Sequence, residues 1–367
     1  MANFSQIIDA SLEWAATVCF RPFNPKKWLI LTFTALMAGY LAGGFHLNSS
    51  GTFDREEKNG QAREISRDAG HAGSIDPAKK EELKPRGSFS VLDEVKKIRK
   101  PLITLIVLTV IIGLLLLVLM TWLCARFAFI FLENITRNDA SIKLPFLRYK
   151  TIGNSYFKFL LAYMGTGFVI FAACLLKLLD SLARLGVFDK QVTVGFKQAA
   201  LTTIPYALVF IFLIIISGLV SLISNHFVVV AMFKDGIGFC AAWRKIAGIL
   251  AKAKSDFIVY IFIIIGLAIC SLICSGLLYL AALLGLFFPA GILFLLFYSI
   301  SLLIPQSLHI FYYIALGIIF VPVTVFILYC LSSIYLPFAV FFRTLSIKFI
   351  ASLEPHYNLF KYSGEEA

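Results

Sequence analysis

Apolar residues gather into runs of about 20, the length a helix needs to cross the hydrocarbon core of a bilayer. The runs lie near Trp28 to Phe45, Leu102 to Ile130, Phe159 to Leu179, Leu201 to Phe233, Phe257 to Phe288 and Phe311 to Phe342. Each predicts a transmembrane helix. A shorter piece, Gly291 to Ile304 between Pro289 and Pro305, predicts a re-entrant or short seventh helix. Residues 1–26 have a different pattern. Phe4, Ile7, Ile8, Leu12, Ala15, Val18 and Cys19 recur every three or four positions, Asn3 and Gln6 stand as a capping box, and Pro22 ends the run. This predicts an amphipathic helix lying in the membrane interface or packed on the membrane domain.

Polar residues punctuate the runs unevenly. Residues 27–45 form the first span, and 46–100 are a polar insertion with almost no large apolar side chains. Residues 101–350 form a helical membrane domain, and 351–367 a C-terminal tail. The insertion lacks the apolar area to fold alone and is expected to be disordered. Its last piece, SVLDEVKKIRK, is an amphipathic lead into the second span.

Composition fixes the class. With 59% hydrophobic and 15% charged residues and a mean hydropathy of +0.86, the chain is an all-α integral membrane protein. We expect three helical hairpins with interfacial amphipathic helices. The insertion holds twelve Lys/Arg and ten Asp/Glu, so +10 of the net charge of +12 lies elsewhere. The basic residues concentrate at 126–158 and 234–254 and are absent around 289–310. By the positive-inside rule this places both termini and the two basic loops in the cytoplasm and the insertion outside.

The seven cysteines sit almost entirely within apolar runs. They read as core hydrophobes, and Cys270 and Cys274, one turn apart, have no His or carboxylate beside them to complete a metal site. No cofactor is expected.

Three span ends share a character: ARFAFIFLENITRND, HFVVVAMFKDG and YLPFAVFFRTL. In the first, Arg126, Glu133 and Arg137 share a helical face and form a candidate structural ion cluster. The segment after the second, IGFCAAWRKIAGILAKAKSDF, sets Trp243 beside Arg244 and Lys245. Ile246, Ile249 and Leu250 fill its apolar side, so we expect an in-plane helix touching anionic headgroups. Phe146 with Arg148 is the counterpart after the first end, which makes three weakly similar units.

These landmarks, together with RPFNPKKWLILTFTALMAG near the start and VFFRTLSIKFIASLEP near the end, resemble an uncharacterised bacterial membrane-protein family. That family is related to the membrane domains that accompany glycerophosphodiester phosphodiesterases. The resemblance implies fold and a multi-pass inner-membrane location, and no activity. Such a phosphodiesterase resembles a TIM barrel of about 250 residues, for which the chain has no alternating strand and helix. The acids of DREEK and KKEEL read as a solvated loop.

Transport would call for ionisable residues within spans. From Val259 to Phe342 there is no Asp, Glu, Lys or Arg. His309 reads as an interfacial histidine, and Pro205 and Pro322 as kink positions. The expected function is therefore a non-enzymatic membrane scaffold or partner-binding protein, with transport of a lipid or small molecule as the alternative. Its expected partners are membrane lipids and a membrane protein, not nucleic acid.

Overall fold

The computed structural model describes residues 3–41, 91–185 and 196–362. All regular structure among them is helical: α1 (Phe4–Phe20), α2 (Pro25–Met37), α3 (Val91–Arg137), α4 (Lys143–Arg148), α5 (Lys150–Arg184), α6 (Phe196–Ile223), α7 (Val229–Asp235), α8 (Phe239–Lys252), α9 (Lys254–Leu303), α10 (His309–Ser332) and α11 (Leu336–Leu353). A π-helical turn, Ser224–Val228, joins α6 to α7. Most of the polar insertion lies outside the described residues. Its final ten are already helix, because α3 begins at Val91.

Five helical stretches are long and apolar enough to cross a membrane: Thr104–Arg137, Lys150–Arg184, Lys197–Asp235, Lys254–Leu303 and Gln306–Leu353. They contain five of the six expected spans. The exception is the first, Trp28 to Phe45, whose last four residues lie outside the described residues and whose described part is the short α2. α2 has 13 residues, about 20 Å of helix against the roughly 30 Å of hydrocarbon. It stops because Gly39 takes φ +78°, where a side chain is strained. The Gly39 N–H then bonds Leu36 O and the Tyr40 N–H bonds Ala35 O, both at 2.9 Å, closing a Schellman motif. The expected separate helix over Gly291 to Ile304 is corrected. α9 runs through Pro289 without interruption to Leu303, since one proline removes one hydrogen bond from a helix of about fourteen turns.

Contacts divide the chain into a large unit, residues 1–47 and 118–367, and a small one, residues 48–117. In the small unit the described side chains, Thr104 to Leu117, are all exposed. In the large unit burial is concentrated at one end of the long helices. There Ala125–Thr136 of α3, Ser224–Met232, and most of α11 form a core with one face each of α1 and α8. We call this assembly the head. α1 lies along α11, with Phe4 stacked on Phe349 at 5.8 Å and Trp14 Nε1 donating to Ile135 O at 3.1 Å. Asn3 caps it by accepting from the Gln6 N–H. Its Ile7, Ala15, Val18 and Cys19 are buried in protein while Leu12 is exposed, so of the two expected placements the packing seen is that against the membrane domain, where this face meets α11.

Away from the head the same kinds of residue are bare. Exposed large hydrophobics run from Leu161 to Leu179 on α5 and from Leu201 to Leu219 on α6, each about 28 Å of helix. The change from buried to exposed falls at one level on neighbouring helices. Thr121 of α3 meets Met164 of α5 at 3.7 Å, and the Tyr163 hydroxyl bonds Ser217 of α6.

Candidate functional site

The head holds four groups of polar side chains. At the end of α3, Glu133 is almost wholly buried, and its Oε1 lies 3.2 Å from Arg137 Nε and 2.6 Å from Arg148 Nη1. The Glu133–Arg137 pair follows from their spacing. The shorter partner, Arg148, comes from α4 and was not part of the predicted cluster. The Tyr149 hydroxyl beside it is pushed up to about 12, first by burial and then by the Glu133 carboxylate.

Arg126 is engaged elsewhere. Its guanidinium lies 4.1 Å from the Trp122 ring centroid and 4.9 Å from that of Phe146, and Nη2 donates to Asn154 Oδ1 at 3.1 Å. A cation held between two aromatic faces suits a buried arginine with an apolar stem. Gly153 makes room for it, since a Cβ there would stand 3.0 Å from Arg126 Cγ.

Trp243, Arg244 and Lys245 lie on α8 as predicted, but the helix meets protein. Phe239, Ala242, Ile246 and Leu250 are buried, and Trp243 tilts against Phe239 at 5.8 Å. The apolar side assigned to lipid is therefore part of the head, a correction that periodicity alone could not supply. Arg244 is exposed. Lys245 Nζ pairs with Asp235 Oδ2 at 2.9 Å, and His356 Nε2 meets Oδ1 at 2.8 Å. Tyr357 donates to Asp235 at 3.4 Å, so one carboxylate ties α7, α8 and the C-terminal turn together. Burial, then the Asp235 charge, push the Tyr357 hydroxyl up to about 12.

The fourth group surrounds the π-helical turn. Asn225 Oδ1 accepts from the Tyr156 hydroxyl at 2.6 Å, and its Nδ2 donates to Ser221 Oγ at 3.3 Å. The backbone carbonyl of Asn225 accepts from Arg343 Nη1. His226 Nδ1 stands 3.0 Å from Tyr260 Oη and 2.5 Å from Ser346 Oγ. The extra residue of a π-turn displaces carbonyls from the helical ladder, and Arg343 meets one of them. Arg343 is only 4% exposed, yet its Nε and Nη2 have no hydrogen-bond partner and no carboxylate pairs with it among the described residues. The Tyr40 ring lies 5.4 Å from it.

The sequence reading missed this group. Its only signal was His226 and Arg343 standing at the edges of apolar runs, before FVVVAMF and after AVFF. His309, expected as an interfacial histidine, sets its Nε2 beside the carbonyls that end α9, Ser301 O at 3.1 Å and Ile304 O at 3.0 Å. Cys270 and Cys274 are exposed, and among the described residues no three His, Cys, Asp or Glu side chains gather as metal ligands.

Fold and composition together define a multi-pass helical membrane protein. The chain belongs to a family of unknown function, DUF7544, whose model matches residues 3–360. That match carries no link to the phosphodiesterase-associated membrane domains that the sequence landmarks resemble. No curated protein and no solved structure matches the chain.

Proposed function

We propose that the protein is a non-enzymatic membrane scaffold: a protein-packed head carried on apolar helices that are open along their sides to membrane-protein partners. One observation carries the reading. Within the five spanning stretches the most apolar windows are between 0% and 22% buried, whereas in the head every residue from Ala125 to Thr136 is buried. A transporter encloses its path between packed spans, and helices left bare offer lateral surface instead. The exposed lengths of about 28 Å on α5 and α6 match a bilayer, which puts the head in the water layer. The basic ends of α3, α5 and α8 support a reading in which that layer is the cytoplasmic face of a bacterial inner membrane. Three full hairpins would need a sixth crossing, which is not among the described helices.

Photo-cross-linking from Phe168, Phe212 and Leu277 in native membranes tests the scaffold. The expected result is discrete protein adducts of reproducible mass. Adducts to lipid alone, at all three positions, would sink it.

The Arg343 and His226 group favours transport as a second reading, because buried ionisable groups among spans are commonly functional. Arg343→Lys separates the two. Loss of a cellular phenotype with unchanged thermal stability supports transport, and loss of stability and phenotype together supports the scaffold.

A further inference from the structure

α4 is a short helix with an unusual surface. Pro145 is buried and Phe146 packs inward on Trp122 at 6.0 Å and Phe127 at 6.1 Å. On either side of them Leu144 and Leu147 point out, 73% and 72% exposed. Lys143, Arg148 and Lys150 flank them and are exposed as well. In water alone, two bare leucines beside three cations would be an unexplained patch on the head.

The level of α4 explains it. On α3 the last of the bare apolar residues is Met120, and Trp122, the residue that Phe146 covers, follows two positions later, about 3 Å along the axis. The headgroup layer on each side of a bilayer is roughly 5–7 Å thick. α4 therefore falls inside it, at the depth where tryptophan and arginine collect. Apolar side chains facing outward at that depth, ringed by cations, complement acyl chains and phosphate together.

We infer that α4 is a membrane-surface anchor: Leu144 and Leu147 enter the boundary of the acyl chains while Lys143 and Lys150 meet lipid phosphates. This transfers the lipid contact expected of α8 to a different helix. It rests on the reading that the bare stretches of α5 and α6 lie in the bilayer. The anchor fixes how far the head stands from the membrane, because α4 is bound at once to lipid and, through Arg148 on Glu133, to the end of α3.

The test uses the full chain, purified and reconstituted in nanodiscs of phosphatidylcholine with or without phosphatidylglycerol. A benzophenone amino acid is placed in turn at Leu147, at Phe168 and at Arg137. Phe168 is a bare residue of α5, and Arg137 is an exposed residue sixteen positions beyond Thr121 on α3. The expected result is phospholipid adducts at Leu147 and Phe168, several-fold above those at Arg137. Phosphatidylglycerol should raise the yield at Leu147, and the gain should shrink in the double variant K143E/K150E. Adducts at Phe168 with none at Leu147 would overturn the anchor and leave the bilayer placement standing. No lipid adduct at either position would overturn both. Equal yields at Leu147 and Arg137 would also overturn the anchor, since the label would then report random encounter.

Discussion

Phe129 and Phe168 are the same residue type on helices of similar apolarity, yet one is wholly buried in the head and the other is 71% exposed on α5. The two regions differ in what lies between their apolar residues. The head interleaves Arg126, Glu133, Asn134, Ser224 and Arg343 with its phenylalanines and isoleucines, all buried. Each polar group demands partners at fixed angles, and in water the hydrophobic effect draws the surrounding faces together. The bare stretches, residues 161–179 and 201–219, carry a single charged residue between them, Lys177, and in lipid such apolar faces gain little by meeting one another. Hydrophobicity thus makes a core in one region and a lipid surface in the other, and the polar minority marks which.

The strongest way to break this contrast is by truncation. Phe349 is fully buried and stacks on Tyr260 at 4.3 Å, so Phe349→Ala should cost about 3–5 kcal/mol. Phe168→Ala should stay within about 0.5 kcal/mol. Thermal unfolding in detergent measures both, and equal losses would erase the distinction.

Smaller effects come from glycine. Gly153→Ala sets a Cβ 3.0 Å from Arg126 Cγ, and the crowding should cost about 1–3 kcal/mol. A Cβ at Gly165 meets nothing within 4 Å. There alanine should be neutral or stabilising by up to about 1 kcal/mol through helix propensity. A stable Gly153→Ala variant would mean that Arg126 is not held between its aromatic neighbours.

The ion pairs sharpen the picture further. Arg148 and Arg137 are 52% and 60% exposed, so solvent screening limits each coupling to Glu133 to roughly 1 kcal/mol or less. Double-mutant cycles should give the larger coupling to Arg148, the closer partner, and a Glu133/Arg137 double change milder than the sum of its singles. Additive losses in both cycles would remove the architectural role of Glu133.

The least perturbing experiment leaves the fold intact. Burial, partly offset by Lys27, pushes the Cys19 thiol up to about 12 from its ordinary 9, while Cys240 is exposed. Alkylation at pH 8 should therefore modify Cys240 and spare Cys19 until denaturant is added, because the thiolate is the reacting species. The same shift means that folding stability falls as pH rises above the unfolded thiol's value, since only the unfolded chain then ionises. Rapid labelling of Cys19 in the native protein would show that α1 is not seated on the head.

Much of this was legible from residue order. The spans of α3, α5, α6 and α9, the Asn3 cap and the Glu133–Arg137 pair follow from period, length and spacing. What failed has physical causes. An amphipathic pattern records that a face avoids water and not whether it meets lipid or protein, so both placements stayed open for α1 and the apolar side of α8 was assigned to lipid. A proline reads as a stop, yet α9 continues past Pro289. Conversely, the glycine that ends α2 sat unnoticed within an apolar run. Arg148 and Arg343 reach their partners across the fold, 15 and 118 positions away, and no local spacing encodes that.

The seating of α1 on α11 also sets an order of events during synthesis. α1 leaves the ribosome before α11, and the surface that covers Ile7, Ala15 and Val18 begins at Leu336. At roughly 5–20 residues per second the nascent chain waits about 15–60 s between the two. Through that interval the apolar face of α1 has no native partner, and a chain truncated before Leu336 never acquires one. Any copy that stops short of α11 is therefore a chain in which this face of α1 is still without its cover.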